Sequence, residues 1–197
     1  MTRAAGIVVL SALLAACTPT PSTGPDAGKD TQTIQGWPSG EIGRLELIEN
    51  KGDQPVVGRG NVDGSGKVSY SLGVPAALRA FTPGPLIINP PDAKYQNLML
   101  IKPVFDNPAI RAGDIRIANR LNPTPQPGDR QAELIYVDRD VSLTGTAGTD
   151  TYNLVFKQGW NYQIVTFGSS GQLTYTASRT LPDDLQWFYV PLPPGSN

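Results

Sequence analysis

From residue 34 to residue 190, glycine and proline break the chain into short pieces rich in Val, Ile, Leu, Thr and Tyr. A globular helix needs about 8–20 residues free of such breaks, whereas a strand needs only about 4–8. The punctuation therefore selects strands, expected at 34–37, 44–49, 56–61, 67–72, 86–89, 98–105, 115–120, 132–138, 141–144, 152–157, 162–167, 172–177 and 186–190. The single helical candidate is PAALRAF, 75–81, two turns at most. So many short strands predict an all-β fold, an antiparallel β-sandwich or barrel-like sandwich with at most one short helix. Residues 34–197 are expected to form one such domain.

Alternation is clearest in KVSYSL, 67–72, and QLTYTA, 172–177, where every second side chain is apolar or aromatic. Each should bury one face and wet the other. With their turns they read SGKVSYS and SGQLTYT, one structural device used twice. The first turn lies in NVDGSGKV, which places Asn61, Asp63 and Ser65 at the first, third and fifth positions of an EF-hand-like loop, and Gly66 at the sixth. The twelfth position, which should supply a bidentate carboxylate, is Leu72, and the second turn keeps the shape without the acid. The pattern is read first as a hairpin turn, with Asn61, Asp63 and Ser65 kept as metal-ligand candidates.

The N-terminus carries a different signal. Arg3 precedes an uncharged, mainly apolar run from Ala4 to Ala16, too short for a permanent membrane helix of about 20 residues. Leu14-Ala15-Ala16-Cys17 resembles the lipobox of bacterial lipoproteins. That resemblance implies a signal peptide over 1–16, acylation of Cys17 and a lipid anchor on a membrane. Cys17 is the only cysteine, so lipidation also accounts for its having no disulfide partner. Thr18 follows it where Asp would imply inner-membrane retention, which directs the expectation to the outer membrane or cell surface. Residues 17–33 are expected to be the lipidated cysteine and a flexible tether, since TPTPSTGPDAGKDTQT has no aromatic or branched aliphatic residue.

Two further resemblances concern the domain. Ile34-Gln-Gly36, Leu45-Glu-Leu47 and Asp63-Gly-Ser-Gly66 leading into Val68-Ser-Tyr70 resemble transthyretin-like or carboxypeptidase-regulatory-like β modules. LIYVDRDVSLTGT, 134–146, and YNLVFKQGWNY, 152–162, look like segments of uncharacterised bacterial lipoproteins, a likeness that implies no activity.

Composition narrows the chemistry. The chain has 16 Lys and Arg against 17 Asp and Glu, a net charge of −1, and loss of Arg3 with the signal makes it one unit more negative, which disfavours nucleic acid as a partner. It has no histidine, which removes the usual general base and metal ligand. No cofactor is implied. Asp138 and Asp140, in VDRDV, would share a face of an extended strand as calcium ligands or an acid/base pair. The alternative makes them a polar turn with Arg139 paired to a neighbouring acid, and Asp183-Asp184 after Pro182 fits a solvated turn better still. Trp37, Trp160, Trp187 and Tyr189 could form a binding platform or pack in the core. The leading expectation is a non-catalytic, lipid-anchored, extracytoplasmic structural or interaction module of the cell envelope, with an envelope protein or glycan as partner. The alternatives are a carbohydrate-binding or carbohydrate-cleaving domain that uses those aromatics with the Asp pair, and a calcium-stabilised adhesion-type module.

Overall fold

A computed structural model describes residues 28–50, 52–82, 84–110 and 112–193; the signal segment, Cys17 and most of the tether stretch lie outside these residues. The strands are β1 (Lys29–Gln35), β2 (Gly43–Glu49), β3 (Val56–Val62), β4 (Lys67–Leu72), β5 (Arg79–Ala80), β6 (Ile87–Asn89), β7 (Lys94–Phe105), β8 (Gly113–Ala118), β9 (Arg130–Val137), β10 (Val141–Ala147), β11 (Asp150–Phe156), β12 (Gly159–Phe167), β13 (Leu173–Ser178) and β14 (Gln186–Pro191). No helix forms among the described residues. The fold is the all-β, barrel-like sandwich that the punctuation predicts.

Eight strands close on themselves in the order β1-β4-β3-β2-β7-β9-β8-β14. The ring is completed by a short parallel pairing in which Ile34 and Gln35 of β1 face Trp187 and Phe188 of β14. Closure leaves the ring without the free edges that invite pairing with other chains. A second sheet, β12-β13-β11-β10-β6, continues outward from the other edge of β9.

Strand β9 has the same alternation on two cores. Ala132 and Leu134 join Leu45, Val68, Ile117 and Trp187 inside the barrel, while Ile135 and Val137 join Phe81, Leu143, Leu154 and Phe156 beneath the second sheet. Inside the barrel the Tyr70 and Tyr162 hydroxyls lie 2.9 Å apart, and the Tyr70 ring packs tilted against Trp187 with centroids 5.0 Å apart. All four aromatics named as a possible platform are buried here: Trp37 is 8% exposed, Trp160 3%, Trp187 0% and Tyr189 8%. The Trp37 and Trp160 indole N–H groups donate to the Glu41 and Gly73 carbonyls at 2.9 Å, so their polar handles are also used internally. These rings are core, and a binding platform made from them is corrected.

The two SG turns are the same device in detail. Asp63 N–H donates to the Lys67 carbonyl and Gly66 N–H to the Asp63 carbonyl; Gly168 and Gly171 repeat both bonds with Gln172 and Gly168. Gly66 and Gly171 take left-handed φ values of 81° and 78°, which glycine adopts without steric cost.

Three local expectations change. Strand β1 begins at Lys29, inside the stretch read as tether, because Lys29–Thr33 pair with Ser71–Lys67 of β4; the hairpin edge supplies main-chain partners to a segment with little to bury. PAALRAF is not helical, since Arg79 and Ala80 pair with Tyr95 and Lys94 while Phe81 is buried and stacks on Tyr95 at 4.4 Å. Strand β7 starts at Lys94 and carries an irregularity opposite β2, where Ile48 pairs with Leu100 but Glu49 with Leu98. Met99 is the extra residue, and inward positions switch there from even to odd numbers.

Candidate functional site

The sequence-named acids do not assemble. Asp63 Oδ1 accepts from Ser65 N, Ser65 Oγ and Lys67 N at 2.9, 2.6 and 3.1 Å, so it fastens the hairpin turn, while Asn61 stands on β3. Residues 138 and 139 form a bend rather than extended strand, which parts the two candidate carboxylates. Asp138 accepts from Lys94 N at 2.9 Å and from Arg139 at 3.2 Å, whereas Asp140 engages Lys157 Nζ at 2.8 Å and Gln158 N at 2.9 Å. Arg139 also reaches Asp92 at 2.8 Å, and Asp184 pairs with Arg130 at 2.6 Å. Among the described residues no cluster of three or more metal-ligating side chains forms.

The structure places a different set together at the rim of the second core. Where β2 ends at Glu49, β5 takes over the vacated edge of β7. The register irregularity leaves Glu49 buried, 2% exposed, below Gln96, which is 1% exposed. Gln96 Nε2 donates to Glu49 Oε2 at 3.4 Å, Ala76 N donates to Glu49 Oε1 at 3.2 Å, and Gln96 Oε1 accepts from Arg79 Nε and Nη2 at 3.1 and 2.8 Å. Arg79 Nη2 donates to Asn97 Oδ1 at 2.9 Å as well, and the guanidinium carbon sits 5.5 Å from the Tyr95 ring centroid. A buried carboxylate thus holds an exposed arginine through one amide.

Arg79 lines a cleft of about 340 Å³ together with Asn50, Tyr95, Asn97, Glu133, Tyr152 and Gln163, over a floor that includes Ile135, Leu143 and Leu154. Tyr152 stacks on Tyr175 at 4.4 Å and 4°, with Tyr175 behind it. Burial, with Tyr152, Asp150 and Glu133 close by, pushes the Tyr175 phenol up to about 12. Glu133 has its carboxyl raised by loss of hydration. It also lines a second cleft of about 270 Å³, which shares no other lining residue with the first. That cleft exists because β7 and β8 both pair with one edge of β9, β7 at 135–137 and β8 at 131–132, and then diverge. Its floor is barrel core, its rim includes exposed Met99 and Leu121, and Asp114, raised by desolvation, lies 3.7 Å from Arg116. The first cleft is set apart by an arginine held through Gln96 and by a stacked tyrosine pair.

The remaining acids tie the fold to pH. The Ser65 hydroxyl on Asp63, the Gln126 amide on Asp129 and the Lys157 ammonium on Asp140 each lead the interactions that hold these carboxyls below the ordinary 3.8. Asp129 also accepts from Asn122 at 2.8 Å and pairs with Arg120, which binds the loop before β9. A depressed folded value contributes stability that is complete above the unfolded value and lost as pH falls through the folded one. The thermal midpoint should therefore drop as pH falls below about 3.8, and Asp140→Asn should remove part of that drop; a midpoint unchanged between about pH 5 and pH 2 would contradict these contacts.

Comparison with protein-family models, with curated proteins and with solved structures finds no match. Sequence reasoning missed Arg79, Gln96, Glu49, Glu133 and Tyr152, and the available hint was PAALRAF, in which Arg79 precedes Phe81.

Proposed function

We propose that the chain is a non-catalytic binding module of a bacterial cell envelope, attached to a membrane, on the outer membrane or cell surface, through acylated Cys17. The observation that carries the binding half is the preformed cleft around Arg79, whose guanidinium is held by a buried Gln96–Glu49 pair. Such an arrangement keeps a charge in place before a ligand arrives and so lowers the ordering cost of binding. The non-catalytic half is supported by the separation of the acids: Asp138 and Asp140 are each engaged by different cations, and Glu133 is the one carboxylate among the described residues lining the cleft around Arg79. General acid–base hydrolysis of a glycosidic bond ordinarily uses two carboxyls across one bond.

The anchor rests on Leu14-Ala15-Ala16-Cys17 and on the absence of any other cysteine. Cys17→Ala should move the protein from the membrane fraction to the soluble fraction, because the acyl chains contribute about 0.8 kcal/mol per buried methylene. Cell fractionation with immunodetection checks this, and membrane retention of the alanine variant would overturn the anchor.

A further inference from the structure

We propose that the cleft between Arg79 and Tyr152 binds a sugar residue that bears a carboxylate, with the carboxylate on Arg79 Nη1 and the sugar ring on Tyr152. This deepens the binding-module reading and rests on it. Among the polar groups lining the cleft, Arg79 Nη1 and the Gln163 and Glu133 side chains are left without a protein partner among the described residues. Arg79 uses Nε and Nη2 on Gln96 and Asn97, which leaves Nη1 unengaged, and no carboxylate forms an ion pair with it. Gln163 and Glu133 line the same space, and among the described residues their side chains make no hydrogen bond or ion pair. By contrast, Arg130 is paired with Asp184 and Arg139 with Asp92.

An oriented guanidinium with free N–H groups recognises a planar oxyanion better than it recognises a neutral group. Tyr152, backed face to face by Tyr175, offers a rigid ring surface at low entropic cost. Arg79 lies over Tyr95, so Tyr152 is the platform for the ligand ring. A purely apolar ring would leave Gln163 and Glu133 unpaired on binding, which costs affinity, whereas ring hydroxyls satisfy both. Carboxylate, flat ring and hydroxyls together describe an acidic pyranose.

The test is isothermal titration calorimetry of the full acylated protein in a detergent without a sugar headgroup, with the α-1,4-linked trimer of galacturonic acid and its methyl ester as probes. The trimer should bind, and its ester should bind at least about tenfold more weakly, since esterification removes the charge while keeping the ring and its hydroxyls. Arg79→Gln should weaken the acid by about the same factor and bring acid and ester to parity, while Arg79→Lys should restore part of the difference. Tyr152→Ala should weaken both ligands alike, and Gln163→Ala gives the same readout if the tyrosine variant does not fold. No binding of the trimer, equal binding of acid and ester, or an unchanged affinity in Arg79→Gln would each overturn the proposal. The anchor stands apart: a protein held by Cys17 that ignores the trimer removes only the ligand, and one that binds the trimer but fractionates as soluble removes only the anchor.

Discussion

Trp187→Ala is expected to cost about 3–5 kcal/mol, the usual penalty for truncating a large buried aromatic. Trp187 is 0% exposed and sits on β14, between β8 and β1. It packs on Tyr70, which in turn contacts Tyr162, so the indole fills the middle of the barrel rather than one end. Its backbone also takes part in the seam, since Ile34 opposite Trp187 is one of only two registered pairs joining β1 to β14. A cavity here therefore loosens both the core and one of the two shortest links in the ring, the other being β8 to β9. Domains of this size are stable by roughly 5–15 kcal/mol, so the loss takes a large share of the total. Urea unfolding should show a lower midpoint with an unchanged slope, and Trp187→Phe should recover much of the difference. A cost below about 1 kcal/mol would mean that the barrel interior is not packed around this ring.

What could be read along the chain and what could not divides by sequence separation. The alternation of KVSYSL puts Val68 and Tyr70 inward, as found, because a strand's period of two is local. The hairpin turns were legible for the same reason: Asp63 to Lys67 and Gly168 to Gln172 are each closed within five residues. Ring closure was not legible. It needs residue 34 beside residue 187, and no periodicity specifies that pairing. The start of β1 was hidden because KDTQT is held by main-chain bonds to β4 and not by buried side chains. The Asp138/Asp140 spacing suggested a shared face, but the strand ends at Val137 and the bend turns the two acids to different partners. The cleft draws on residues from 50 to 163, and its central arginine comes from a segment whose composition suggested a helix.

Gln96→Leu should destabilise the protein by about 1–3 kcal/mol, at the upper end of that range because the oxygen left without its donor, Glu49 Oε2, belongs to a carboxylate. Leucine is close to glutamine in volume, so the variant creates little cavity and isolates the polar effect. Gln96 is 1% exposed, and its amide supplies Glu49 Oε2 with its donor at 3.4 Å while accepting from Arg79 on the other side. Without it, Ala76 N remains as the donor to Glu49 at 3.2 Å, and Asn97 remains for Arg79 at 2.9 Å. Adding Glu49→Leu removes the buried charge as well, and replacing buried ionic groups by apolar ones of similar size is often neutral or stabilising. The double variant should therefore be more stable than Gln96→Leu alone, a non-additivity that a double-mutant cycle by urea unfolding measures directly. Additive costs would mean that Glu49 and Gln96 are not coupled. If the pair exists to orient Arg79, the repacked protein gains stability and loses affinity in the cleft together, the trade-off expected where function retains a polar group that the core alone would not select.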